Sequence, residues 1–185
     1  MNKRQFVSFL IVISLIASCN GTKKDKISIK SIEILYLKGT VCTTSSINWG
    51  AISSMIPKLI NDTFLFDETK LKEMEHQISI IKELKMDSTT SRGCDVRIEC
   101  KINLKNGKII TLCLSEFNCL IKDDKRIARN DTLIYLIKRY SGYYNYFRKE
   151  DLIYFDELKL FGIPNDYRDL RKKNTSTNGI PLPPE

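Results

Sequence analysis

Apart from Cys19, five cysteines, at positions 42, 94, 100, 113 and 119, and a single histidine, His76, are the groups in this chain whose chemistry could extend beyond surface charge. Thiolates can act as nucleophiles, bind metal or form disulfides. Zinc is disfavoured by spacing. Structural zinc sites set paired cysteines two to four residues apart, whereas five, twelve and five residues separate the last four, with no histidine near them. One histidine excludes a His-rich metal centre and any HExxH helix. The chain has no GxxxxGK or GxGxxG phosphate loop and no GxSxG elbow. Nothing in the spacing points to a Cys–His pair. Asp123-Asp124 falls at an expected turn, where turn chemistry explains it. No cofactor, metal or catalytic residue is expected.

The cysteines instead pose a question of strand register. Cys100 and Cys113 lie equidistant from Asn106-Gly107, as do Cys94 and Cys119. A two-residue turn at Asn106-Gly107 would set Cys100 opposite Cys113 at a non-hydrogen-bonded site, about 4.5 Å between α-carbons, within reach of a disulfide. That register turns Ile110, Leu112 and Leu114 to the wet side. A three-residue turn with Gly107 left-handed shifts pairing by one. Ile102 then meets Ile110, Cys100 meets Leu112 and Ile98 meets Leu114, so every aliphatic side chain shares one face. Exposing three of them costs roughly 1.5–3 kcal/mol each, and a disulfide returns only about 2–4 kcal/mol. The second register is therefore expected unless the far face is also covered. It buries a free Cys100 and sets Cys113 on the opposite face.

A different chemistry is offered by "KRYSGYYNYFRK", residues 138–149. Arg139, Tyr140, Tyr143, Tyr144, Tyr146 and Arg148 could stack on a sugar ring or grip a protein partner if exposed. The competing reading, which aromatic stretches favour, is that these rings pack the last helix onto the sheet.

These residues must be held by regular elements. "SIKSIEILYL" (28–37) reads as a strand apolar at both parities near its end, and Gly39 ends it. Residues 40–62 read as irregular or short extended structure. Asp67 is placed to cap a helix over 68–85, in which Leu71, Met74, Ile78, Ile81 and Leu84 form one stripe and Glu68 pairs with Lys72. His76 lies off that stripe. A strand with one wet face follows, alternating Val96, Ile98, Cys100, Ile102 and Leu104 with Arg97, Glu99, Lys101 and Asn103. It turns at Asn106-Gly107 into a return strand. A short hairpin spans 119–127. Asn130 or Asp131 caps a helix with Leu133, Leu136, Ile137 and Tyr140 on one face, which Ser141-Gly142 can stop. Residues 150–164 add a short helix. The order implies an α+β fold: an antiparallel sheet of about four to five strands with two to three helices packed on one face.

The amino terminus carries an address. Lys3 and Arg4 precede a twelve-residue apolar run, 6–17, the length of a signal-peptide core and too short to span a bilayer. Ile16-Ala17-Ser18-Cys19 resembles a bacterial lipobox. That resemblance implies diacylglyceryl attachment at the Cys19 thiol, cleavage before Cys19 and acylation of the new terminus, and so a membrane anchor. Asn20 after the cysteine favours the outer membrane over inner-membrane retention. The expected organisation is a signal peptide at 1–18, a lipid-anchored tether at 19–27, a single α+β domain at 28–164 and a disordered tail at 165–185. The lysine- and isoleucine-rich body resembles small lipoproteins of the Bacteroides type, a likeness that implies no site residue.

The formal charge of +8 falls to +6 without Lys3 and Arg4. This suits anionic surroundings such as lipid headgroups or an acidic partner. Nucleic acid is not an expected partner of an exported chain. The expected function is a non-catalytic binding module at the cell envelope, contacting a protein or glycan through its sheet face or the Tyr-rich segment. The alternatives are an immunity-type inhibitor of a secreted toxin and an enzyme with an unrecognised site.

Overall fold

The computed structural model describes residues 27–39, 45–55, 60–81, 94–115 and 119–173. Cys19, the lipobox, the tether up to 26, Cys42 and residues 174–185 lie outside the described residues. Among the described residues, six antiparallel strands form one sheet: β1 (Ile29–Leu37), β2 (Ile60–Leu65), β3 (Val96–Leu104), β4 (Ile109–Ser115), β5 (Leu120–Lys122) and β6 (Lys125–Arg126), in the order β2-β1-β3-β4-β5-β6. The helices are α1 (Glu68–Ser79), α2 (Asp131–Ser141) and α3 (Asp156–Phe161). The α+β class is as expected, with one strand more than the upper count.

That extra strand is β2. Its sequence, INDTFL, has three polar residues among six and no clean alternation, so it reads as irregular. It is a strand because β1 has an edge to give it, with Leu35 opposite Asp62 and Glu33 opposite Phe64.

At the β3–β4 hairpin the backbone chooses the three-residue turn. Gly107 has φ +82°, Leu104 N–H donates to the Lys108 carbonyl, and Gly107 N–H donates to the Leu104 carbonyl. Ile102 faces Ile110, Cys100 faces Leu112 and Ile98 faces Leu114. Cys100 and Cys113 are free, buried and on opposite faces, as that register requires. The β5–β6 turn uses Asp123 (φ 47°) and Asp124 (φ 66°), the left-handed pair a two-residue hairpin needs.

Helix α1 starts where its cap predicts. The Asp67 carboxylate accepts from Lys70 N–H at 2.9 Å, and Glu68 pairs with Lys72 at 3.1 Å. Leu71, Met74 and Ile78 are buried. The helix ends at Ser79 rather than near 85. Ser79 Oγ donates to the His76 carbonyl, and Ile81 N–H donates to the Ile78 carbonyl, tightening the last turn. Asn130, not Asp131, caps α2, its side chain accepting from Leu133 N–H, and Gly142 (φ 74°) ends it.

The helices pack on one sheet face. Ile32, Ile34, Ile98, Cys100, Ile102, Leu112 and Leu114 meet Leu71, Met74, Ile78, Leu133 and Ile137 in the main core. Helix α2 is covered twice. Beyond its sheet-facing stripe, Ile134, Tyr135 and Lys138 are also buried, because α3 and single 3-10 turns at Tyr143–Tyr146 and Asp151–Tyr154 pack onto it.

Two expectations need correction. The far face of β3 is not simply wet: residues 45–55 lie over part of it, with Ile47 and Ile52 beside Leu37, Val96, Cys113 and Ile121 in a second core. Ile47 N–H donates to Asp95, and Val96 N–H donates to the Ile47 carbonyl, which pins that segment. Residues 165–173, assigned to a disordered tail, are ordered against the body. Tyr167 OH donates to the Phe147 carbonyl, Arg168 N–H to Asn145, and Leu170–Lys173 forms a further 3-10 turn.

Candidate functional site

Among the described residues, the four cysteines are either bridged or buried. Cys94 and Cys119 form a disulfide with α-carbons 5.9 Å apart. Burial pushes the Cys113 thiol up to about 12, reinforced by the Glu99 and Asp123 carboxylates and opposed by a backbone hydrogen bond from Gly50. Cys100 is raised further by complete burial, with Cys113 and Glu99 adding to it. The thiolate is the reactive form, so neither thiol is a ready nucleophile. His76 is exposed near the end of α1. Among the described residues no three His, Cys, Asp or Glu side chains gather as a metal site.

The Tyr-rich segment divides. Tyr143 and Tyr144 are only 1% and 2% exposed, so the two central rings offered as partner contacts belong to the core. Tyr143 packs on Tyr36, Phe147 and Phe155, and Tyr144 on Tyr135 and Phe155. Tyr146 is half-buried, edge-on to Tyr36 at 5.9 Å. Arg148 is exposed at the surface and donates its backbone N–H to Asp151. Beneath them lies a buried polar group that sequence reasoning missed. Lys138 Nζ donates to Glu157 Oε1 at 2.8 Å and Tyr144 OH donates to the same oxygen at 3.0 Å. The ammonium also sits 4.6 Å from the centre of the Phe155 ring. Burial and the Glu157 charge together hold the Tyr144 phenol far above its ordinary range. Lys138 and Glu157 are 19 residues apart and share no local pattern.

Besides the exposed Ile153, Tyr154, Leu160 and Phe161 around α3, two accessible features among the described residues gather polar and apolar groups. The first is the uncovered half of the sheet's far face. Register places Asp62, Leu35, Glu99, Cys113 and Ile121 in one row, much of it under residues 45–55. The next rows hold Phe64, Glu33, Lys101 and Thr111, then Ser31, Asn103 and Ile109. Phe64 is 53% exposed, Phe66 69% and Ile109 61%, and the two phenylalanine rings stack with centroids 6.3 Å apart. Lys105 and Lys108 are exposed in the turn beside Ile109, and Lys30 is exposed at a bulge in β1. Glu99 stands at the border of the covered zone, 2% exposed. Its Oε1 is 3.8 Å from Lys101 Nζ, and its Oε2 has no hydrogen-bond partner among the described residues. One signal for this surface was present: Ile109 is the residue that the aliphatic register leaves on the far side.

The second feature is a cleft of about 210 Å³ where α2 ends, bordered by Arg139, Tyr140, Gly142, Asn145, Asp166 and Tyr167. It gathers Arg139 and Tyr140 from the Tyr-rich segment with residues of the 165–173 stretch. Arg139 Nε lies 3.9 Å from Asp166 Oδ1, beyond hydrogen-bond length, and has no hydrogen-bond partner among the described residues. Tyr140 OH donates to the Glu73 carboxylate, which, after burial, is what raises this phenol.

No family model matches this chain, and neither a curated protein nor a solved structure matches it.

Proposed function

We propose that this protein is a lipid-anchored, non-catalytic binding module of the bacterial outer membrane, and that it holds a protein partner on the uncovered half of its sheet. The observation that carries the reading is the exposure of the stacked Phe64 and Phe66 at the β2 edge, with Ile109 exposed on the same face three strands away. Large apolar side chains so placed mark an interaction surface more often than chance. Lys30, Lys101, Lys105 and Lys108 lie toward Ile109 while Glu33 lies beside Phe64, so the complementary partner presents apolar groups with carboxylates opposite the lysine side. Two further observations support the envelope setting: the lipobox-like Ile16-Ala17-Ser18-Cys19, and the Cys94–Cys119 bridge, since disulfides persist in oxidising compartments. The raised thiols and the exposed lone histidine agree with a module that does no covalent chemistry.

Two measurements test this. Cys19→Ser should release the protein from sedimented membranes and abolish palmitate labelling. Palmitate labelling that survives the substitution would end the anchoring claim. Crosslinking in intact cells should yield a partner that Phe64→Ser/Phe66→Ser loses while the melting temperature holds. A partner retained by that variant places recognition elsewhere.

A further inference from the structure

The sheet has two edges, and they are not alike. At one edge β6 is two residues long, and both of them, Lys125 and Arg126, are exposed cations. A short charged edge resists pairing with a further strand. At the other edge β2 runs for six residues without proline or glycine, and its one pairing partner among the described residues is β1. Alternate residues of an edge strand turn their backbone N–H and C=O groups away from the sheet. Along β2 those groups meet no further backbone partner among the described residues. Resting on the sheet-face reading, we infer that β2 receives an extended segment of the partner protein as an added strand. That segment carries a basic residue opposite Asp62 and apolar residues opposite Phe64 and Phe66.

The side chains of β2 set the chemistry of the added strand. Ile60, Asp62, Phe64 and Phe66 recur at period two on the far face. Ile60 packs against the second core, whereas Asp62, Phe64 and Phe66 are exposed, so the open stretch begins at Asp62. The row that Asp62 ends continues through Leu35, Glu99, Cys113 and Ile121 and holds no cation. Glu33 in the next row already lies opposite Lys101, which leaves Asp62 as the carboxylate at the open edge. A basic side chain directly across from it would form the favourable cross-strand pair that the sheet itself does not supply. The rings of Phe64 and Phe66 stack on each other and keep their outer surfaces for apolar neighbours. A second copy of this chain fits less well, because β2, INDTFL, has no basic residue to set opposite Asp62. Strand addition takes its affinity from main-chain hydrogen bonds and its specificity from alternate side chains, and β2 offers both.

The test uses the full chain purified in detergent and amide hydrogen exchange read by NMR. The probe is a capped nonapeptide of alternating valine and threonine with lysine at its centre. At ten times its Kd it should slow exchange of the outward β2 amides about tenfold and leave those of β6 unchanged. Glutamate at the centre should weaken binding roughly threefold or more, and Asp62→Lys should reverse that preference. Proline flanking the central lysine should abolish the protection. Asp62 is exposed, so Asp62→Lys should keep the wild-type melting temperature. No protection of β2 by the lysine peptide at millimolar concentration, equal protection of β6, or a preference that Asp62→Lys leaves unchanged would overturn the strand addition. So would a dimer, seen by light scattering, that protects the same amides without peptide. Loss of the crosslinked partner in Phe64→Ser/Phe66→Ser without peptide protection of β2 would sink the pairing and leave the sheet-face reading standing. A partner that survives that variant would end both.

Discussion

Replacing Glu157 with glutamine should destabilise the protein by about 3–5 kcal/mol, although it changes one atom in a side chain that solvent does not touch. The size follows from the geometry. Lys138 and Glu157 are 0% and 1% exposed and 2.8 Å apart. At an effective dielectric of about 20 their attraction is roughly 6 kcal/mol, close to what removing two ions from water costs, several kcal/mol for each. The pair therefore contributes little net stability, and half of it is a liability. Glu157→Gln keeps an acceptor for Tyr144 but leaves the ammonium without its carboxylate. Removing the three linked polar groups together, as Lys138→Met/Glu157→Met/Tyr144→Phe, leaves no uncompensated charge of the pair and should fall within about 1 kcal/mol of wild type. Urea unfolding followed by near-ultraviolet circular dichroism, with the disulfide intact, gives both values. The single variant should also melt about 6–20 °C lower. A Glu157→Gln cost below about 1 kcal/mol, or a triple variant as damaged as the single one, would refute this account of the ion pair.

Three further outcomes follow from the packing. Reducing or deleting Cys94–Cys119, which closes a loop with a sequence separation of 25, should cost about 3.5 kcal/mol by loop entropy, read from denaturant midpoints of Cys94→Ala/Cys119→Ala. Gly39→Ala would set a Cβ 2.5 Å from the Phe147 ring and should cost about 1–3 kcal/mol, with the change concentrated in near-ultraviolet signals. Native Cys100 and Cys113 should resist thiol reagents at pH 8 and react on unfolding. Unfolded thiols ionise near about pH 8.5 while Cys113 stays protonated until about 12, so the unfolded state sheds protons first and stability should fall as pH rises through that window.

How the fold could be read from sequence depended on the range of each signal. Asp67 and Asn130 announce their helices because a cap acts on amides two or three residues away. The β3–β4 register was legible because strand period and turn length act within twenty residues, and together they separated Cys100 from Cys113. Strand β2 was not legible. Asn61 and Asp62 disfavour strand, which outweighs Thr63, and the edge of β1 decides their state. The candidate site shows the same division. Arg139 and Tyr140 were marked by composition, but Asp166, which completes the cleft, came from a stretch whose polarity suggested a tail.

By themselves the residues determined the α+β class, the helix starts, the hairpin register and the separation of the two free thiols, all products of contacts close along the chain. Tertiary structure alone decided which half of the second sheet face residues 45–55 cover, and which rings of the Tyr-rich segment, read from sequence as packing, are fully buried while Phe64, Phe66 and Ile109 are surface. It also joined Lys138 to Glu157 and Cys94 to Cys119. Burial is a property of what lies above a side chain, and for these residues the covering atoms come from distant segments whose approach leaves no local period to read.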